Sequence, residues 1–328
     1  MLKKKNLKSQ HLHFAHGWLW GVLVLGFVML MVTGVRDGYF KYWFGGDYKI
    51  VNVHEVVQSS REAETLYDVM RQVNIATTVL VGTPNEIIYY DGESGFTGYE
   101  ENNREILEVQ ANNPKRFVAF CTIDTTDSDY MSVVEECVEQ GAQGFKLHSG
   151  HSFFYGNSLD YPGMFEFYAY AQEKGLPVIF HVNTGNYQEE FEAVLKLYPE
   201  MKVICPHYCL SSNNLQRLSY LLETYPNLYT DMSFGDETYL LEGVERISEN
   251  LEMYKELIEK YPNRFFYGTD SVVTDYEGKD DEWLAGVYQV YRDILEKETF
   301  TIFFSEDPDQ VYNGLALDYE ILLQIYEK

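Results

Sequence analysis

One pattern recurs eight times and leaves few folds open to this chain. From Lys49 onward a short β-branched run is followed by an amphipathic stretch with helical spacing. The runs are KIVNVHEV (49–56), IATTVLVGT (75–83), RFVAFCTID (116–124), GFKLH (144–148), PVIFHVN (177–183), KVICPHY (202–208), LYTDMSF (228–234) and FFYGTDS (265–271). The helical stretches are Glu62–Val73, Glu100–Asn112, Asp129–Glu139, Pro162–Lys174, Tyr187–Leu197, Asn214–Tyr225, a long one at Glu242–Tyr261, and Asp281–Lys297. Several end in turn punctuation, among them the Tyr-Pro pairs at 198–199, 225–226 and 261–262. Eight strand–helix units in about 280 residues have the size and order of a (β/α)8 TIM barrel. A doubly wound sheet needs fewer units, and no G-x-G-x-x-G follows the first run. No long linker or second domain interrupts 49–328, and a composition 45% apolar and 16% aromatic can fill the core that a barrel requires.

The chain before the barrel reads differently. Gly17–Val35 is uncharged over 19 residues, GWLWGVLVLGFVMLMVTGV. As a helix it covers roughly 28 Å, close to the thickness of the bilayer core. Trp18 and Trp20 sit at one edge, Trp43 with Tyr39, Phe40, Tyr42 and Phe44 at the other, as interfacial anchors do. Lys3, Lys4, Lys5 and Lys8 precede the span, so the positive-inside rule puts the N-terminus in the cytoplasm. The expected organisation is a basic cytoplasmic tail (1–16), a transmembrane signal anchor (17–35), an aromatic juxtamembrane linker (36–48) and an extracytoplasmic barrel (49–328), single-pass in the cell membrane. A cleaved signal peptide would have a shorter apolar core and an A-x-A-like site, where this chain reads Thr33-Gly34-Val35-Arg36. A buried core helix would not be apolar on every face beside a lysine-rich end.

Charge narrows the partners. The first 35 residues hold no acid and four lysines; subtracting those four charges from the net −26 leaves −30 on the remainder. Such a body repels phosphate backbones, which excludes nucleic acid as a partner. A small-molecule substrate is expected, and a homodimer is left open. Four cysteines in 328 residues do not make a disulfide scaffold. Cys205-x3-Cys209 has no usual zinc spacing, so the cysteines read as buried free thiols.

The reactive side chains are concentrated. The body has five histidines, His54, His148, His151, His181 and His207, all near the C-terminal end of a predicted strand. Asp231 and Asp270 hold the same place on runs seven and eight. In a barrel that end is the catalytic face. Side chains two apart share a face of a strand, which groups His54 with Asn52 and Val56, Lys146 with His148, His181 with Asn183, and His207 with Cys205. Neutral imidazole plus carboxylate is the ligand set of zinc and similar ions, and an open coordination position on such an ion activates water. For any one histidine the plainer reading is a satisfied local hydrogen bond. For Lys146 it is a buried amine paired with an acid, for Asp231 a strand-end cap, and for Tyr89, Tyr90, Tyr99 and Tyr155 ordinary packing.

These strands resemble the amidohydrolase superfamily, in its amidohydrolase-related branch of metal-dependent TIM barrels. The matching pieces are VNVHEV, GFKLHSGH, PVIFHVN, ICPHYC, LYTDMSFG and RFFYGTDSV, spread over residues 49–326. In that family strand one carries H-x-H as two metal ligands, strand five a histidine ligand, and strand eight an aspartate that binds metal and acts as general base. The resemblance therefore implies His54, His181 and Asp270 as metal ligands and Asp270 as catalytic base. It implies one divalent metal, zinc the expected ion. Lys146, His148, His151, His207, Asp231 and Asn183 fall to substrate contact or to support of the ligands, Lys146 also to a carbamylated metal bridge. The second strand-one histidine is replaced by Val56 and the preceding aspartate by Asn52. With one ligand missing, the metal is expected to be held weakly.

Three functions follow. The first is a membrane-anchored, metal-dependent hydrolase whose activated water attacks an amide, ester or lactone. The second is a non-oxidative decarboxylase on the same scaffold. The third is a metal-poor barrel that acts as a binding module.

Overall fold

In the computed structural model eight strands form one parallel sheet in the order of the chain. Residues 48–89 and 94–327 are described. The expected tail, anchor and linker before Tyr48 lie outside them, as does Tyr90. Among the described residues no helix is long and apolar enough to cross a membrane.

The strands are β1 (Ile50–Glu55), β2 (Ile75–Val81), β3 (Phe117–Thr122), β4 (Gly144–Gly150), β5 (Val178–Val182), β6 (Val203–Cys205), β7 (Leu228–Asp231) and β8 (Phe265–Phe266). The ring closes where Val53 N donates to Tyr267 O (2.9 Å), Asp270 N donates to His54 O (2.8 Å) and Val57 bridges Val273. The eight-unit reading is therefore met by a closed TIM barrel. Its interior is an apolar layer that includes Val53, Val56, Val81, Phe120, Ile179 and Ile204. A larger layer packs the outer strand faces against the helices.

Helices follow the strands as the pattern requires: α1 (Ser60–Gln72), α2 (Tyr99–Asn112), α3 (Tyr130–Glu139), α4 (Phe165–Lys174), α5 (Thr184–Leu197), α6 (Leu215–Thr224), α7 (Glu237–Glu249) and, after a second helix at Leu251–Lys260, α8 (Asp281–Glu296). Their starts are capped by side chains that satisfy free backbone N–H groups: Ser59 accepts from Arg61 N and Asp280 from Trp283 N.

The structure corrects three expectations. The long helix at 242–261 is two helices broken at Asn250, whose backbone (φ −122°, ψ 33°) is not helical. Run eight is a strand only at Phe265–Phe266. Beyond it Asp270 (φ +50°) and Val272 (φ +52°) are left-handed, which ends the ladder and turns the chain across the mouth of the barrel. The cysteines are not free thiols: Cys121 of β3 pairs with Cys137 of α3, and Cys205 pairs with Cys209. The first pair meets because a strand packs on the helix that follows it. The second meets because the chain folds back within four residues.

Candidate metal centre

The C-terminal ends of the strands bring the five histidines, Lys146, Asp231 and Asp270 to one mouth. His54 is fully buried, and its two ring nitrogens have different partners. Nδ1 lies 2.8 Å from Asp231 Oδ2 and Nε2 lies 2.8 Å from Lys146 Nζ. A carboxylate only accepts, so Nδ1 carries the proton and Nε2 presents its lone pair. His207 repeats this arrangement. Its Nδ1 lies 3.2 Å from the Ser233 carbonyl and 2.9 Å from Ser233 Oγ, whose own hydroxyl is 2.6 Å from Asp231 Oδ1. The carbonyl fixes the proton on Nδ1 and leaves Nε2 as an acceptor.

Asp270 stands between the two lone pairs. Its Oδ1 is 3.4 Å from His54 Nε2 and its Oδ2 is 3.3 Å from His207 Nε2. Three acceptors thus converge with no proton of their own between them, and their ligand atoms all lie within 4.8 Å of one another. Tetrahedral ligands at zinc–nitrogen and zinc–oxygen distances are about 3.3–3.4 Å apart. A ligating histidine commonly donates its other N–H to a carboxylate or backbone carbonyl, as His54 does to Asp231 and His207 to Ser233. On these observations His54, His207 and Asp270 fit one divalent cation.

The electrostatics agree. Burial pushes His148, His181 and His207 below the ordinary histidine range, with neighbouring positive groups adding to it for His148 and His181, and it brings His151 to about 4. All four are neutral near pH 7. Burial alone would raise the Asp231 carboxyl. The electrostatic pull and hydrogen bond of His54, then His207 and Ser233, outweigh it and hold Asp231 well below the usual carboxylate range. Burial lowers Lys146 to about 8, against the pull of Asp270 and Asp231. The Lys146 amine therefore already occupies the lone pair of His54 that a cation would use.

The other predicted residues take different places. His181 is near the centre, its ring 5.0 Å from that of His207 and 4.6 Å from that of His151, and its buried Nε2 has no hydrogen-bond partner among the described residues. It stands outside the compact group; His207 takes the third position there. His148 faces Phe96 and Phe154 (5.8 Å each) and its Nε2 is 3.4 Å from Gly82 O. His151 accepts from Phe153 N through Nδ1 (3.1 Å). Asn183 caps α5, its side chain accepting from Gly185 N (3.0 Å), and so is tied to the helix start. Val56 joins the apolar interior and Glu55 turns toward the helices, but Val53 is interior too: a register shift between Asn52 and Glu55 breaks the alternation that groups His54 with Asn52, and Asn52 donates to Thr269 Oγ1 (2.7 Å) instead.

Two features of the site were not read from the sequence. Glu55, fully buried, accepts from Ser271 N (2.9 Å), Val272 N (3.2 Å), Thr269 Oγ1 (2.7 Å) and the Tyr288 hydroxyl, and so clamps the left-handed turn that presents Asp270. The second feature is the turn after β6. His207, Tyr208, Cys209 and Leu210 are all left-handed, a conformation that costs an L-residue about 1–2 kcal/mol. Its signal was the pair of cysteines bracketing His207.

A sequence profile of the family described as Amidohydrolase matches residues 89–309. The fold is shared with a probable 2-pyrone-4,6-dicarboxylic acid hydrolase from Acinetobacter baumannii, crystallised with citric acid bound. Identity is 15%, covering 85% of this chain and 96% of that one, with a TM-score of 0.56. It is shared also with 4-oxalomesaconate hydratase from Rhodopseudomonas palustris, at 13% identity over 85% of this chain and 93% of that one, TM-score 0.53. No curated protein sequence matches. The profile spans well over half of the chain, and with it the resemblance of the strand motifs becomes membership: this chain belongs to the amidohydrolase family.

Proposed function

We propose that the protein is a metal-dependent hydrolase of the amidohydrolase type, with His54, His207 and Asp270 holding one divalent ion, zinc by its donor chemistry. The observation that carries this is the facing of acceptors: two imidazole lone pairs lie 3.4 and 3.3 Å from the oxygens of one carboxylate. When bound, the ion supplies Lewis acidity to a carbonyl and makes water a nucleophile near neutral pH. Asp270 is the partly exposed member of the group, its side chain 18% accessible, and it takes the proton of the attacking water and returns it to the leaving group. Asp231 holds His54 in the required tautomer, and Ser233 does the same for His207. Lys146 is the cationic donor nearest the group, His181 Nε2 is a buried polar atom left for a substrate to meet, and Phe96 and Phe154 pack against His148 beside them.

The test is metal content followed by product analysis. Purified protein is dialysed against a weak chelator, assayed for zinc and manganese, and incubated with amide, ester, lactone and aromatic carboxylate panels. Retained metal with hydrolysis products supports the reading. Carbon dioxide release would assign the decarboxylase chemistry instead. Protein that binds neither metal would be the binding module.

The two disulfides favour an oxidising compartment, in keeping with a barrel placed outside the cytoplasm by an anchor at 17–35. Protease added to intact cells then digests the barrel; protection of the barrel overturns that placement.

A further inference from the structure

We propose that the Cys205–Cys209 disulfide is a positioning element of the metal centre: it holds closed the left-handed turn that sets His207 opposite Asp270, and metal retention depends on it. The inference rests on the metal reading above and goes beyond it to a covalent bond that touches neither ion nor substrate. Cys205 is the last residue of β6. It is fixed in the barrel by pairing with β7, and its carbonyl accepts from Thr230 Oγ1 (2.7 Å). Pro206 follows, and then the four left-handed residues, His207 (φ +58°), Tyr208 (+54°), Cys209 (+56°) and Leu210 (+48°). None is a glycine, so none reaches this region at no cost. Leu210 N donates to His207 O (2.8 Å) and Ser211 N to Tyr208 O (2.9 Å) within the turn, and the bond from Cys205 to Cys209, whose Cα atoms stand 4.9 Å apart, ties it covalently back to β6. Cys209 is anchored in turn: its carbonyl accepts from Thr184 Oγ1 (2.6 Å) at the start of α5.

The polar contacts of His207 orient its ring but do not explain the turn. Its N–H donates to Asp231 Oδ1 (3.0 Å) and its Nδ1–H to Ser233 O (3.2 Å). Both partners belong to the end of β7, so they act only once the turn has carried the ring there. With the covalent closure removed, only noncovalent contacts hold 207–210, and the turn is expected to loosen. The His207 Nε2 then leaves its place 3.3 Å from Asp270 Oδ2. Both sulfurs are fully buried, so the bond is protected from casual exchange in the folded protein.

The experiment compares full-length wild type with two double variants, Cys205→Ala/Cys209→Ala and Cys121→Ala/Cys137→Ala. Zinc affinity is measured by competition with a chromophoric chelator, and the visible absorption of the Co2+-loaded proteins reports coordination. Near-UV circular dichroism and melting of the metal-free proteins report the fold. The 205/209 variant is expected to bind zinc about 10–100-fold more weakly, the usual effect of losing support behind a ligand, with a changed cobalt spectrum. The 121/137 variant, which loses a staple of similar kind far from His207, is expected to keep the wild-type affinity and spectrum even if it melts earlier.

Should the 205/209 variant fail to fold, the 121/137 protein serves in its place, since only one disulfide remains in it. The protein is opened in denaturant so that a phosphine reaches this buried bond and reduces it with water as co-reactant, giving two thiols and the phosphine oxide, and denaturant and phosphine are removed together by desalting. Zinc affinity is expected to fall on reduction and to return on reoxidation. A folded 205/209 variant with wild-type affinity and spectrum overturns the proposal, as does an equal loss in both variants. A wild type that binds no metal overturns the metal reading, and this proposal with it.

Discussion

Lys146 offers a quantitative test of where a cation binds. Its Nζ is 2.8 Å from His54 Nε2, and burial holds it at about 8. A cation taking that lone pair meets an ammonium, and two outcomes compete. If the amine stays charged, the repulsion is severe: two unit charges 4 Å apart at an effective dielectric of 20 interact by about 4 kcal/mol, and a divalent ion doubles this. If the amine gives up its proton, the cost is set by the distance of pH from its pKa. At pH 7 that is about 1.4 kcal/mol, and each further pH unit downward adds as much. Proton release is cheaper, so metal binding should expel one proton from Lys146.

Lys146→Met removes the amine and keeps the volume of the stem. The variant should bind zinc about 10-fold more tightly than wild type at pH 7 and about 100-fold more tightly at pH 6, with the two converging above pH 8. Protonation of His54 and His207 weakens both proteins, so the ratio isolates the lysine. The assay is chelator competition at three pH values. A ratio that does not change with pH, or a Met variant weaker throughout, refutes the reasoning. The first would mean that the amine is not in the cation's place, the second that it is itself a ligand.

Asp270→Asn should lower turnover about 10²–10⁴-fold with circular dichroism unchanged, because asparagine tolerates the left-handed backbone at φ +50° but takes no proton; a near-wild-type rate would remove Asp270 as base. For Glu55, burial raises the carboxyl above 4.5 against the hydrogen bonds of Tyr288 and Thr269, so the folded protein holds this proton to higher pH than the unfolded chain does. The stability this group supplies is fully present below 4.5 and is lost as pH rises through the folded value. The stability of Glu55→Gln relative to wild type should therefore grow as pH rises above 4.5, by about 1.4 kcal/mol for each pH unit until the folded value is passed; thermal melts showing a flat difference would sink the account. Val56→His puts an imidazole among the interior valines, at about 1–3 kcal/mol if it stays unpaired. With zinc present the variant should instead retain more metal than wild type and gain in melting temperature. A variant destabilised equally with and without zinc would show that position 56 does not reach the ion.

How much of this could be read from the sequence depends on how local the cause is. The barrel was legible because strand and helix periodicities are local and repeat eight times. The residues of the mouth were legible because each reactive side chain sits at the end of a run, and a parallel barrel gathers those ends. Which residues meet within the mouth was not legible, since strand alternation says only which way a side chain leaves the sheet. His181 and His207 are equivalent by that rule. What separates them is backbone: His181 lies within regular β5, whereas His207 follows three-residue β6 and rides a left-handed turn that swings its ring to Asp270. No propensity assigns four consecutive non-glycine residues to that region. The same holds at Asp270, whose left-handed backbone is held from below by Glu55, a residue that alternation turns away from the site. Both of these proposed ligands thus sit where the ladder has ended and the backbone is costly. The supports that hold them there, a disulfide for one and a buried carboxylate for the other, lie outside the ligand set. A search of the sequence for ligands alone would pass over both, and a bracketed pair such as Cys205 and Cys209 around a histidine is the one local mark that such a support leaves.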